Sequence, residues 1–171
     1  QSTVNIGGDI NISAGILQGT SSFVATDGNA LVNLGGDINN TGGIIQTGAS
    51  TLGLFRINYM GTAPQAISNT GGSFIFSANQ RDTINNSTGL TLNTPLSHNG
   101  NIHFASGVLN TSAVNLLTLT AGSTVTGASN ASFVNGPVKK IGNTPFTFPV
   151  GKANGLVPIR VSNFAGASSP A

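Results

Sequence analysis

The chain has 171 residues, a formal net charge of +2 and no cysteine. Charged residues make up 6% of it, glutamate is absent, and Gly, Asn, Thr and Ser together account for close to half. Disulfides and thiolate metal sites are thereby excluded, and few acids or bases remain for catalysis. No block of like charge invites a polyanion. Apolar residues are 38% of the chain and recur in short β-branched runs, while helix formers are scarce. That combination predicts an ordered all-β protein. No apolar run approaches the roughly 18 residues of a membrane span. Gln1 reads as a mature N-terminus left by cleavage, because a strand pattern begins directly after it.

The first elements come as a repeat. "VNIGGDINISAGILQ" (Val4 to Gln18) returns as "VNLGGDINNTGGIIQ" (Val32 to Gln46), with ten of fifteen positions identical and a period of 28 residues. Periods of this size mark solenoids and propellers, and a propeller blade needs about 40 residues. Short alternating runs such as "VNI", "ILQ", "FIF", "LTL", "STVT" and "SFV", separated by Gly, Asn, Asp or Ser, predict three short strands per coil. The fold class expected is therefore a right-handed parallel β-helix of about five coils. Each coil cannot bury its apolar face or satisfy its backbone alone, and near-identical neighbours do both.

The apolar offsets of Val4, Ile6, Ile10 and Ile16 recur at Val32, Leu34, Ile38 and Ile44, and again at Leu90, Leu92, Leu96 and Ile102. A weaker turn is expected from Gly61, with Ala63 and Ile67 in register, and another from Leu117. Val4, Ile6, Val32, Leu34, Leu90 and Leu92 are predicted to point inward. Asn5 over Asn33 and Asn11 over Asn39 are expected to form amide ladders. The pairs Gly7/Gly8 and Gly35/Gly36 are expected to give the corners positive φ. The Phe residues at 23, 55, 74, 76, 104 and 133 read as core filling.

After Val138 the pattern changes. Phe146–Val150 and Leu156–Val161 are alternating strands bounded by proline, with a Gly/Asn turn between them. Residues 1–138 are thus read as the solenoid. Residues 139–171 are read as the beginning of a small antiparallel β-sandwich that continues past Ala171.

"SFVNGPVKKIGNTPFTFPVGKANGLVPIRVSN" (Ser132 to Asn163) resembles a segment of large secreted surface proteins of the Bacteroidota, in which β-helix coils end in "SFVxGPL", "FTFPVG" and "xRPIxV". "GTAPQAIS" (Gly61 to Ser68) is similar to their "GxxQTIS" tract, with Ala66 where Thr is usual. The resemblance implies an extracellular, cell-surface protein exported through the type IX secretion machinery and linked to adhesion, gliding or matrix. It also points to Thr83, in Asp82-Thr83-Ile84, as an O-glycosylation site. The polar stretch "NQRDTINN" (Asn79 to Asn86) is expected to form an outer loop.

Chemistry is sparse. Asp9 and Asp37 occupy the same place in the repeat and should stack. They are either a weak calcium or sugar pair or, the reading favoured, Asx-turn residues after Gly-Gly. His98 and His103 read as a loop and a strand histidine without further metal ligands. "VGKANG" lacks the phosphate-loop spacing, "NGPVKK" lacks aromatics for nucleic acid, and no Gly-x-Ser-x-Gly elbow occurs. Glycoside hydrolysis needs two placed carboxylates, and no pair outside the repeat suggests them. The chain is therefore expected to be non-catalytic and free of cofactors: a rigid structural or adhesive surface segment, self-associating end to end or contacting a surface polysaccharide. The alternatives are a carbohydrate-binding or carbohydrate-active module and, ranked lower, an ice-binding solenoid.

Overall fold

The computed structural model describes residues 2–19, 29–48 and 53–162. Phe23 and Asp27 lie outside them, as does everything after residue 162. Among the described residues the only regular elements are strands.

Six coils follow one another. The first is β1 (Ser2–Ile6), β2 (Ile10–Ile12) and β3 (Ile16–Gln18). The second is β4 (Ala30–Leu34), β5 (Ile38–Asn40) and β6 (Ile44–Gln46). The third is β7 (Phe55–Tyr59), β8 (Gln65–Asn69) and β9 (Ser73–Ile75), and the fourth β10 (Gln80–Asn85), β11 (Leu90–Leu92) and β12 (Leu96–His98). The fifth is β13 (Asn101–Ser106), β14 (Leu109–Asn110) and β15 (Leu117–Leu119), and the last β16 (Thr124–Thr126), β17 (Val134–Asn135) and β18 (Val138–Lys140). The first and second strands of each coil pair in parallel with their counterparts in the next, and the third strands do so except between the third and fourth coils. The first sheet runs β1-β4-β7-β10-β13-β16, and the second β2-β5-β8-β11-β14-β17. The third side is two blocks, β3-β6-β9 and β12-β15-β18. Six passes make five steps of a parallel β-solenoid. Parallel strands need a crossover, and here the rest of the coil is that crossover.

Alternation along each strand sends one set of side chains into the lumen. On the first sheet Val32, Ile57 and Ile102 belong to one inward column, and Leu34, Tyr59, Ile84 and Phe104 to the next. On the second, Ile10, Ile38, Ile67 and Leu92 stack in succession. Phe55, Phe104 and Phe133 are buried, and Phe74 and Phe76 pack against the core.

The register differs from the sequence reading beyond the second coil. Leu90 and Leu92 are buried, but they lie on the second sheet, beside Gln65 and Ile67. The true successor of Val32 is Ile57 in "FRINY". Gly61 starts no strand and Ala63 is exposed, while Leu117 belongs to the third side. The cause is a shortened step: the Asn ladder advances 28 residues from Asn5 to Asn33 but 25 from Asn33 to Asn58. An apolar alternation fits any strand in the coil, so offsets alone do not tell the three sides apart. Val4 also departs from expectation. It shares the column of Val32 yet is 53% exposed against 6%, because no described coil lies beneath it.

The corner glycines work by proximity, not by φ. None of Gly7, Gly8, Gly35 and Gly36 has positive φ. A Cβ on Gly35 would sit 2.8 Å from the Gly7 carbonyl oxygen, and one on Gly36 would overlap the Gly8 backbone. Stacked corners are too close for a side chain.

The solenoid reaches Lys140, two residues past the expected boundary. There follow β19 (Phe146–Phe148), β20 (Gly151–Lys152), β21 (Gly155–Leu156) and β22 (Ile159–Val161). β19 pairs antiparallel with β22 and β20 with β21. Gly155, at φ +111, closes the tight turn after Asn154. This small antiparallel sheet meets the last coil: the Val134 N–H donates to the Pro149 carbonyl at 2.8 Å, and Phe146 packs against the core. The Lys140 ammonium donates to the carbonyls of Thr120, Ala121 and Ile141 at 2.7–2.9 Å and lies 5.4 Å from the Phe146 ring centre. Partial loss of solvation lowers its pKa.

Candidate functional site

The outer face of the first sheet carries the densest array of functional groups. Alternation that sends Val32 and Ile57 inward turns Asn33 and Asn58 outward. The Asn33 amide donates to Asn5 Oδ1 at 2.8 Å, and the Asn58 amide to Asn33 Oδ1 at 3.0 Å. The column continues through Thr83, His103 and Thr126, the last two 3.0 Å apart. The neighbouring outer column stacks Arg56 beside Arg81. Arg81 is tied to the carbonyls of Ala78 and Gln80 at 2.5 and 2.7 Å. Arg56 Nε and Asn58 Oδ1 have no hydrogen-bond partner. Both strands send no acid outward, since Asp82 points into the lumen and is buried. The face is amide-rich and cationic.

Thr83 lies within β10, between β7 and β13, and not on an outer loop. The loop expectation was overturned by alternation: Gln80, Asp82 and Ile84 of the polar stretch are buried and Arg81 and Thr83 are half-buried. The Thr83 side chain shares the outward column of Asn58 and His103.

Asp9 and Asp37 stack at a coil edge as expected, but not in Asx turns. Asp9 Oδ1 accepts the backbone N–H of Asp37 at 2.8 Å, and Asp37 Oδ1 accepts that of Ala66 at 2.9 Å. Each carboxylate serves the coil above it. Among the described residues no group of three or more potential ligands comes together.

Sequence reasoning missed a buried polar cluster. Asp82 takes the inward place that Ile57 and Ile102 fill in the coils beside it. His98, fully buried on β12 and not in a loop, has its Nε2 3.2 Å from Asp82 Oδ2. Gln80 Nε2 donates to the other carboxylate oxygen at 2.5 Å, and Thr47 Oγ1 donates to Gln80 Oε1 at 3.0 Å. Phe76 packs on the imidazole, with ring centres 5.7 Å apart, and His98 Nδ1 is unpartnered. His103, by contrast, is exposed on β13. The signal that finds Asp82 is the 25-residue step, which places it over Ile57. The void beside it measures about 10 Å³. That is room for one water at most, so the pair is closed to substrate.

Compared with known proteins, the chain matches no family model, no curated protein and no solved structure. Its own geometry carries the functional argument.

Tyr59 gives a clean probe of the enclosed cluster. Burial first, and then the Asp82 charge, push its pKa well above the ordinary value. The fold therefore favours the neutral phenol. Its contribution is complete below about pH 10, the unfolded value, and is lost as pH rises through the folded value. Tyr59 is the only tyrosine and tryptophan is absent, so near-ultraviolet phenolate absorbance reads it alone. Ionisation should appear only with alkaline unfolding, and Tyr59→Phe should flatten the fall of melting temperature above about pH 10.

Proposed function

We propose that the chain is a non-catalytic structural segment of a secreted bacterial cell-surface protein, a rigid spacer whose flat sides make weak, repeated contacts. The observation that supports this reading most is the continuity of the stack. Two unbroken six-stranded parallel sheets run through all six coils, with the third side in two three-stranded blocks, and the void beside the Asp82–His98 pair, about 10 Å³, has no space for a substrate. Such a stack holds what lies at either end at a fixed separation, and repeated weak side contacts add through avidity. On this reading the coil is right-handed, as parallel crossovers almost always are, and β19–β22 are the first part of a sandwich. The resemblance of the Ser132–Asn163 stretch to Bacteroidota surface proteins supports the surface location and the type IX export route. Antibody raised against the chain should label intact cells of the native source, and the label should vanish after mild surface proteolysis. Label only after lysis would defeat the surface reading.

A second reading is favoured by the Arg56–Arg81 stack. Guanidinium groups beside an amide ladder suit an acidic surface polysaccharide. The chain should be retarded in gels containing such a polymer, and Arg56→Gln with Arg81→Gln should abolish the retardation while leaving melting within about 1 kcal/mol. Turnover is not expected: release of reducing or unsaturated sugar by the purified chain would make it an enzyme. The outer column of Thr3, Leu31, Arg56 and Arg81 lacks the one-threonine-per-coil ladder of an ice-binding face. Thr83 is proposed as O-glycosylated on this same face. Intact mass of native-source protein decides it, since a bare polypeptide of 17.1 kDa would remove the idea.

A further inference from the structure

We infer that the N-terminal face of the stack, formed by β1, β2 and β3, is a docking edge for one more coil of the Gly-Gly-Asp repeat, laid in parallel register beneath it. The glycines point there first. Gly35 and Gly36 must be glycine because the backbone of Gly7 and Gly8 occupies the space of their side chains. At Gly7 and Gly8 themselves, a Cβ would meet nothing within 4 Å, and φ is not positive. Nothing in the structure requires glycine at either position. A further corner beneath them would require it at both.

The corner and amide side-chain bonds of the first coils have a direction. Backbone N–H groups of Asp37 and Ala66 donate to the carboxylates of Asp9 and Asp37 in the coil before them. A carboxylate only accepts, so this polarity is fixed. The amides of Asn33 and Asn39 donate the same way, to Asn5 and Asn11. The edge therefore presents the Asp9 N–H and the Asn5 and Asn11 amide groups to an acceptor-bearing coil. Behind them a hollow of about 290 Å³ is lined by Ile6, Ile10, Ile12 and Leu17, and Val4 stands 53% exposed. A second copy of the chain does not fit. Head to head, the strands would run antiparallel, and the Asp9 N–H would find no corner carboxylate, because the mate's Asp9 Oδ1 already accepts its own Asp37 N–H. Head to tail, the partner's last coil is already engaged by the Val134–Pro149 bond and the Val134–Val150 bridge. The occupant is a coil with Asp, or Asn, at the register of Asp9.

The test joins a second copy of residues 2–29, one full 28-residue step, directly ahead of Ser2 in the full chain. Hydrogen exchange at the Thr3, Asn5 and Asp9 amides, which face away from the second coil, should slow at least tenfold, and the melting temperature should rise. Asp→Lys at the corner of the added copy should remove most of the gain. Gly7→Ala with Gly8→Ala should leave the unextended chain's melting unchanged and abolish the gain in the extended one. Unchanged exchange on extension, or alanines that act alike in both backgrounds, would overturn the proposal. So would a dimer of the unextended chain in sedimentation that protects the same amides. The docking rests on the spacer reading, yet the two fail separately, because cell labelling reads the location and exchange reads the edge.

Discussion

Asp82→Ala should lower the unfolding free energy by about 3–5 kcal/mol, the usual result of breaking a buried, hydrogen-bonded pair. The loss has identifiable parts. His98 Nε2 and Gln80 Nε2 both contact the Asp82 carboxylate, and all three residues are buried. Without the carboxylate, two polar groups stay in the lumen unsatisfied, each costing about 1–3 kcal/mol. Water cannot replace the carboxylate well, because the adjoining void is about 10 Å³ and a bound water needs two to four polar partners. The double variant Asp82→Val with His98→Leu should recover most of the loss, since a hydrophobic replacement of a buried pair is often neutral or stabilising. A double-mutant cycle in urea reads the coupling, with a value above about 1 kcal/mol expected for groups in contact. A single-variant loss under about 1 kcal/mol would mean that the pair is solvated and the lumen open at the fourth coil.

The cluster also shows what the sequence could and could not convey. The repeat at Val4–Gln18 and Val32–Gln46 was legible because two consecutive coils kept the same length and the same corner. Identity at Asn5/Asn33 and Asn11/Asn39 translated directly into ladders at 2.8 and 3.0 Å. Legibility failed where the step shortened. From Asn33 to Asn58 it is 25 residues, and Asp82 then pairs with Ile102 at a still shorter interval. A corner that loses residues outside the strands leaves strand pairing intact, so the fold tolerates the change while a fixed period loses register. Asp82-Thr83 in a polar stretch then read as loop, though strict alternation buries Gln80, Asp82 and Ile84. Composition misled because a lumen can hold polar groups when they satisfy one another. Arg56 and Arg81 are not legible as a pair in the sequence, because their adjacency exists only in the true register.

Ile38→Asp should have the largest effect of any single change in the second coil, about 4 kcal/mol or more at neutral pH. Ile38 is 1% exposed and stacks between Ile10 and Ile67 on the second sheet. Removing its side chain costs what large-to-small substitutions at buried isoleucine cost, about 2–5 kcal/mol. The carboxylate adds a charge with no basic group among its stacked neighbours, so it would take up a proton on folding. Its folded pKa would then lie above the unfolded value near about 4. The sign follows: the penalty is greatest where the unfolded chain is ionised and shrinks as pH falls through the folded value. The variant should therefore regain part of its melting temperature on going from neutral to acid pH, relative to wild type. Two controls separate burial from mere substitution. Ile38→Val should cost only about 0.5–1.5 kcal/mol. Asn39→Asp, one residue on and outward in the ladder with Asn11, should cost about 1 kcal/mol or less. Equal losses at positions 38 and 39 would contradict the alternation on which the inward column rests, whereas a large loss confined to 38 fixes the second sheet's face.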